Sequence, residues 1–243
     1  ALHMLKHLYK ITKCKNVVLG GGFFLNSVLN GKIEKKTNFK KSYISFSPSD
    51  TGNSIGSALY LYHHIKNKRL NQSYTSPLIG PKYDNKSVLR SLKRRNIKFV
   101  KIKNFAKEVA ESCSNGLIVG YFRNQLEFGD RSLGCRSILA DPRSEIMKSK
   151  INLSIKYREN YRPFAPSVKS EKSHIFFDHD KNYKCNFMER VLKVRKKYVN
   201  KLKAITHIDH TARVHTVEKK ENPDFYKILN EFEKLTGFPI LLN

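Results

Sequence analysis

The sequence has few cysteines, no long apolar run and few acidic residues, and each shortage excludes a class of protein. Its four cysteines (Cys14, Cys113, Cys135 and Cys185) have no short spacing, so we expect neither a CxxC zinc site nor a disulfide framework. A reduced, cytoplasmic setting fits this usage best. No apolar run approaches the roughly 18 residues that span a bilayer. The first residues, ALHMLKHLYK, lack a signal peptide's apolar core, so no membrane partner is expected.

The shortage of acidic residues leaves a net charge of +27, from 47 Lys and Arg against 20 Asp and Glu. Such a charge favours anionic partners, which are nucleic acid, a membrane surface or phosphorylated small molecules. AT-biased coding is an equally good source of the lysines, since Lys and Asn are abundant while Ala and Gly are scarce. The 40% hydrophobic content is enough for a core in one large domain or two small ones.

Strand and helix patterns alternate along the chain, which predicts an α/β (α+β) fold. In the first part we predict a helix that opens near Phe24 and ends at Gly31, and a polar stretch with Pro and Gly at 67–82 predicts a domain boundary. The residues 126–143 are predicted to form an arginine-rich loop. The other predicted helices cover 1–13, 54–66, 84–95, 104–114, 144–154 and 222–236, and the predicted strands include 17–19, 43–46, 97–102, 116–122 and 238–242.

Two stretches that follow predicted strands are suited to hold an ion. The glycines Gly20, Gly21 and Gly22 lie between a strand and a helix, where backbone N–H groups can approach a phosphate. Their spacing matches neither GxGxxG nor a P-loop, and a simple turn is favoured when they are taken alone. Asp50, in PSDTGNSIG, can ligate a metal ion or cap a helix, and spacing alone favours the cap.

The densest group of charges is in LEFGDRSLGCRSILADPR, residues 126–143, and the segment after it. Arginine's planar guanidinium suits bidentate binding of phosphate or carboxylate oxygens. Ser137 and Asn152 add neutral donors, and Glu127 and Asp130 can orient the arginines. A solvated basic face is the alternative, but interleaved apolar residues indicate a lined cleft. The cations are Arg131, Arg136, Arg143, Lys148, Lys150, Lys156, Arg158 and Arg162.

Six stretches carry a family resemblance that runs almost end to end. They are NVVLGGGFFLNSVLNGKI, SPSDTGNSIGSALY, PLIGPKY, THIDHTARVHTV, NPDFYKILNEFEKLTGFPILLN and the long block GLIVGYFRNQLEFGDRSLGCRSILADPRSEIMKSKINLSIKYRENYRPFAPSV. With them the chain resembles the carboxy-terminal half of the NodU/CmcH-type O-carbamoyltransferases, a family that includes antibiotic and nodulation-factor carbamoyltransferases.

The resemblance implies two domains. Residues 1–70 would be the tail of an actin/hexokinase-like (ASKHA) domain, 71–82 a linker, and 83–243 a YrdC-like domain with a mixed twisted sheet. The family's earlier half, with its histidine metal motif, and the polar segment after LLN are not in this sequence. We therefore expect a fragment whose partner is the missing amino-terminal half, and oligomerisation is left open.

The chemistry implied by the resemblance is ATP-dependent. Carbamoyl phosphate and ATP would give a carbamoyl-adenylate in the YrdC-like domain, and the carbamoyl group would then pass to the hydroxyl of an acceptor in the first domain. The implied catalytic contacts are Arg131, Arg136, Ser137, Lys156 and Arg158. The implied substrate or nucleotide contacts are Arg162, Arg143, Asn152, Arg213, Gly20, Gly21 and Gly22. Asp50 would ligate a divalent metal ion, with the remaining ligands outside this chain.

Three residues depart from the family's usual motifs. Asp130 stands where GPRALG has its proline, His210 replaces the glycine of HxDGTAR, and His215 replaces a glutamine. If that glycine holds a positive φ, a histidine there costs roughly 1 kcal/mol.

Two other interpretations remain, a nucleic-acid-binding or tRNA-modification-related YrdC-like module and an inactive remnant. The sequence has no RNA-binding aromatic signature and no zinc knuckle, so no nucleic acid is expected. A concave pocket around Arg136 and Lys156 would favour the carbamoyl enzyme, and a wide exposed basic stripe would favour nucleic acid.

Overall fold

The structure, a computed structural model, describes residues 1–67 and 76–243. Residues 71–75 of the predicted linker therefore lie outside the described residues. None of the helices in the described ranges is long and apolar enough to cross a bilayer.

The first part of the chain is a parallel strand pair with three helices. The strands β1 (Asn16–Leu19) and β2 (Lys41–Ile44) pair in parallel. The helices are α1 (Leu2–Thr12), α2 (Ser27–Lys36) and α3 (Asn53–Lys66), with 3₁₀ turns at Gly22–Leu25 and Asp50–Gly52. The apolar faces of the helices and strands enclose a small core of Leu5, Leu19, Ile33, Phe39 and Ile44. Two parallel strands end at one edge, so the loops after β1 and β2 lie side by side.

The second part contains six helices, seven strands and a π-helical segment within the described residues. The helices are α4 (Asn85–Arg94), α5 (Phe105–Ser114), α6 (Glu145–Ile151), α7 (Ser173–Phe176), α8 (Lys196–Val199) and α9 (Pro223–Thr236), and the π-helical segment Asn152–Lys156 continues α6. The strands are β3 (Val119–Phe122), β4 (Arg136–Leu139), β5 (Pro166–Lys169), β6 (Val191–Lys193), β7 (Thr211–Arg213), β8 (His215–Val217) and β9 (Ile240–Leu242).

The strands of the second part form a mixed arrangement. β5 pairs in parallel with β8 and antiparallel with β9, while β3 pairs antiparallel with β4 and β6 with β7. Ala140 and Leu242 exchange backbone hydrogen bonds of 3.2 and 3.0 Å, which join the end of β4 to β9. α5 and α9 pack together and bury apolar residues that include Phe225 and Phe232. The mixed α/β (α+β) fold expected from the sequence is confirmed.

Three local predictions are wrong. Gly31 does not end α2, because the helix runs on to Lys36; a Cβ at Gly31 would overlap the carbonyl oxygen of Val191, so the glycine lets helix and strand approach closely. Residues 97–102 form no strand. Arg136 and Ser137 lie on strand β4 rather than in a loop. In this strand Ser137 and Leu139 are buried with a period of two, but the neighbouring glycine and charged residues obscure that pattern in the sequence.

Buried polar contacts join the two parts of the chain. Asn30 on α2 donates its Nδ2–H to the carbonyl oxygen of Glu189 at 2.9 Å. The buried guanidinium of Arg190 donates to the backbone and hydroxyl oxygens of Ser42. A buried cation is costly unless it is paired, so the Arg190 contacts hold β2 against the second part, and the Asn30 contact does the same for α2.

Candidate functional site

A cleft of about 270 Å³ opens where β4, the segment 156–164 and β7 meet. Five cationic side chains line it, and one of its described lining residues, Asp130, is acidic. Phe164, Ile138 and Met188 supply apolar wall. The cations are Arg131, Arg136, Lys156, Arg158 and Arg213. Chain folding thus brings Arg213 to the cations of 131–158, and Arg136 and Lys156 line the same concave pocket.

Arg213 carries the strongest electrostatic signal in the cleft. Its pKa is lowered to about 10, mainly by burial and further by the neighbouring charges of Arg131 and Arg158. Its Nε is buried without a hydrogen-bond partner among the described residues. Burial likewise lowers the pKa of Arg131. A group of cations that repel one another in a partly buried cleft is an arrangement that an anion stabilises.

Asn152 lies behind Arg158 rather than on the cleft lining. Its side chain is fully buried, and its Oδ1 accepts a hydrogen bond of 2.7 Å from Arg158 Nε. Its Nδ2 donates to the carbonyl oxygen of Arg162 at 2.9 Å. The guanidinium of Arg158 also stacks 4.8 Å from the centre of the Phe164 ring. Asn152 therefore fixes the direction in which Arg158 enters the cleft.

Arg136 and Ser137 alternate along β4. The guanidinium of Arg136 stacks 3.6 Å from the centre of the Phe122 ring and donates to the carbonyl oxygens of Arg123 at 2.8 Å and Cys135 at 3.0 Å. Part of its donor set is therefore used to hold it in place. Ser137 is buried and faces away from the cleft, where its Oγ accepts the N–H of Gly134 at 3.1 Å.

The loop that carries Arg131 is held by a buried carboxylate. Glu127 Oε1 accepts backbone N–H groups of Leu133 at 2.7 Å and of Cys135 and Arg136 at 3.2 Å. It therefore orients the arginines through the backbone rather than through their guanidinium groups. A carboxylate with several N–H donors makes a strong hydrogen-bonded turn.

Asn222, a residue that sequence reasoning missed, closes the other side of this loop. Its Nδ2 donates to the carbonyl oxygen of Gly134 at 3.0 Å, and its Oδ1 caps α9 at the N–H of Phe225, 3.2 Å away. Gly134 has φ +92°, and a Cβ there would overlap the Phe225 ring. An asparagine directly before Pro223 and Asp224 is a helix-start signal. It predicts the capping role of Asn222, but it does not predict the hydrogen bond to Gly134.

Two predicted contacts lie outside the cleft lining. Arg143 forms a 2.6 Å ion pair with Asp141, and hydrogen bonding to that carboxylate raises the pKa of Arg143. Arg162 is exposed and pairs with Glu159 at 2.7 Å.

The predicted glycine turn and Asp50 meet at the edge where β1 and β2 end. Gly21 has φ +105° and donates its N–H to Pro48 O at 2.6 Å. Nothing lies within 4 Å of the Cβ positions of Gly20 or Gly21, so this backbone is open to a ligand. Asp50 is exposed in the turn that precedes α3.

Asp50 alone does not make a metal site. Across residues 1–67 and 76–243, no three His, Cys, Asp or Glu side chains converge so as to hold an ion. The described residues therefore do not fit a metal ion by themselves, and the predicted ligand role of Asp50 stays a prediction.

The loop at Asp130 joins this edge to the cleft. Arg131 Nη2 donates to Leu25 O at 3.3 Å, beside the glycine turn. Ser49 Oγ donates to Asp130 Oδ2 at 3.4 Å, next to Asp50. The aspartate that departs from the family pattern thus lies between the two predicted sites.

The other two departures have different surroundings. His210 has φ +60°, which is the left-handed backbone region that favours glycine. His215 is buried, and its Nδ1 lies 2.9 Å from Ser167 Oγ. Burial lowers the pKa of His215 to about 3.

Comparison with known proteins identifies the family of this chain. The carbamoyltransferase C-terminus family matches residues 110–243, and the carbamoyltransferase N-terminus family matches residues 2–59. The chain belongs to the carbamoyltransferase family. This carbamoyltransferase chain is 37% identical to nodulation protein NolNO of Sinorhizobium fredii, over 99% of the chain and 36% of that protein.

Two further relatives extend the comparison. Nodulation protein NolO of Bradyrhizobium diazoefficiens is 37% identical over 99% of this chain and 45% of its own length. Nodulation protein U of Azorhizobium caulinodans is 30% identical over 94% of this chain and 39% of its own. The chain thus spans less than half the length of these relatives, and the resemblance read from its motifs is confirmed.

Proposed function

We propose that the cationic cleft binds carbamoyl phosphate and ATP, and that the chain acts in ATP-dependent transfer of a carbamoyl group to an acceptor hydroxyl. The observation that carries this proposal is the set of five cations around one carboxylate in a 270 Å³ cleft. Both substrates are polyanions, and neutralising their charge lets them approach one another. Positioning and electrostatic stabilisation then supply much of the rate.

The proposed first step forms carbamoyl-adenylate. The product retains neither the phosphate of carbamoyl phosphate nor the pyrophosphate of ATP, so both must leave. The step balances when one water is consumed: carbamoyl phosphate, ATP and water give carbamoyl-adenylate, phosphate and pyrophosphate. In the second step the acceptor oxygen bonds to the carbamoyl carbon, AMP departs, and the hydroxyl proton is released.

The described residues divide into contacts and supports. The five cations Arg131, Arg136, Lys156, Arg158 and Arg213 would contact phosphate or carbamoyl oxygens, because they line the cleft. Asn152 would aim Arg158. The edge at Gly20–Gly22, joined to the cleft through Arg131 and Leu25, would face the acceptor side.

Calorimetric titration tests the proposal. The protein should bind ATP and carbamoyl phosphate, and Arg158→Gln should weaken both about 10–100-fold, since a hydrogen bond to a charged group is worth about 1.5–3 kcal/mol. Arg195→Gln is a matched control, because Arg195 is exposed and does not line the cleft. Failure of the folded protein to bind either compound would favour the inactive remnant. Tight RNA binding that Arg158→Gln leaves unchanged would favour the nucleic-acid module.

A further inference from the structure

The helix α4 is well capped, yet it buries none of its side chains. Asp84 Oδ1 accepts the N–H of Ser87 at 2.7 Å. At the other end Asn96 adopts φ +52°, and the N–H of Ile97 donates to Leu92 O at 3.0 Å. A helix this short gains most of its stability from tertiary packing. The apolar side of α4 is therefore available to a partner.

The segment 98–103 that follows is exposed and belongs to no helix or strand. Val100 is 86% exposed and Phe99 48%. Within the described part of the chain, no backbone hydrogen bond is found for these residues. Unpaired backbone N–H and C=O groups are available to pair with an added strand.

An apolar groove of about 410 Å³ lies between α4 and β3. Val88, Leu92 and Ile97 form its walls together with Tyr83, and Phe122 closes it. Arg95 lies at its rim. The groove is concave, so it fits a protruding apolar side chain better than a flat bilayer surface.

The charge of residues 82–103 indicates which kind of partner would bind this surface. Residues 82–103 contain nine Lys and Arg but one acidic residue, Asp84. A second copy of this surface would be repelled, and an acidic partner would be attracted. The other basic run, 193–203, has its apolar residues Val194 and Leu202 buried, so it offers charge without an apolar surface.

The helix α4 and segment 98–103 lie outside the two family-model matches, although Phe122, which closes the groove, lies inside one of them. The two family matches cover residues 2–59 and 110–243, and α4 and 98–103 lie between them.

We propose that α4, the groove and segment 98–103 bind an acidic, extended segment of a partner protein. The partner adds as a strand along 98–103, its carboxylates pair with the lysines and arginines, and one apolar side chain enters the groove beside Phe122.

The test is fluorescence anisotropy with a labelled dodecapeptide of alternating Glu and Val at low salt. Val88→Glu and the pair Lys98→Glu, Lys101→Glu should each weaken binding at least about tenfold through like-charge repulsion. Val100→Pro should weaken it more than Val100→Ala, because proline removes the N–H needed for strand pairing. These side chains are exposed, so the fold should persist, as circular dichroism will verify.

The matched control is the pair Lys196→Glu, Lys201→Glu, which makes the same charge change on exposed residues of the other basic run and should change affinity less than about twofold. No binding of the peptide, or equal binding of a dodecamer of glutamate, would overturn the proposal. The proposal would also be overturned if phosphatidylserine vesicles or a twelve-nucleotide RNA bound more tightly than the peptide and the same variants abolished that binding.

Discussion

Replacing Arg213 by methionine should stabilise the protein and weaken its binding of anions. Folding lowers the pKa of Arg213 from 12.5 to about 10, mainly through burial. Since each pKa unit is worth about 1.4 kcal/mol, the charge disfavours the folded state by at most about 3 kcal/mol. Methionine keeps most of the volume and removes the charge. We expect unfolding to become about 1–3 kcal/mol less favourable, which raises Tm by several degrees for a chain of this size.

The assay is thermal unfolding in phosphate-free buffer, repeated with pyrophosphate. At about 100 times its Kd a ligand stabilises by about 2.7 kcal/mol, so pyrophosphate should raise Tm of the wild type clearly and of Arg213→Met much less. Arg143→Met is the opposing control: it removes the ion pair of buried Asp141, and should lower Tm while keeping the pyrophosphate effect. A lower Tm for Arg213→Met with unchanged pyrophosphate affinity would refute the reasoning, because Arg213 would then be a structural residue.

Three further predictions concern the supports of the cleft and the pH dependence of folding stability. Asn152→Ala should weaken the binding of ATP about tenfold in calorimetric titration, because Arg158 loses the 2.7 Å hydrogen bond at its Nε. Unchanged affinity for ATP would show that Arg158 needs no such support. Gly134→Ala should lower stability by more than about 1 kcal/mol in denaturant unfolding, because φ is +92° and the new Cβ overlaps Phe225. His215 has a pKa of about 3 in the folded protein and about 6.5 in the unfolded chain, so stability should fall as pH drops below 6.5. His215→Gln should flatten this pH dependence of stability. An equal slope in that variant would exclude His215 as its source.

The elements that could be predicted from the sequence are those with long, regular patterns. The helix over 222–236 is observed as Pro223–Thr236, with its asparagine cap and a C-terminal glycine at φ +78°. The strand expected at 97–102 does not form, because strand pairing depends on a neighbouring strand that the local sequence does not contain. Strand β4 was missed because only four residues carry its pattern.

The site could be predicted in part. Arg131, Arg136, Lys156, Arg158 and Arg213 do converge on one cleft, and their residue types already indicate anion binding. The distinction between contacts and supports could not be read from the sequence. Asn152 and Ser137 have the chemistry of ligands, and only the fold turns one toward Arg158 and the other into the protein interior.

The central claim is that the cationic cleft forms carbamoyl-adenylate, and isotope exchange tests it most directly. Labelled pyrophosphate should enter ATP only when carbamoyl phosphate is present, and Arg158→Gln should abolish the exchange while Arg195→Gln retains it. A protein that binds both substrates yet shows no carbamoyl-phosphate-dependent exchange would contradict the account.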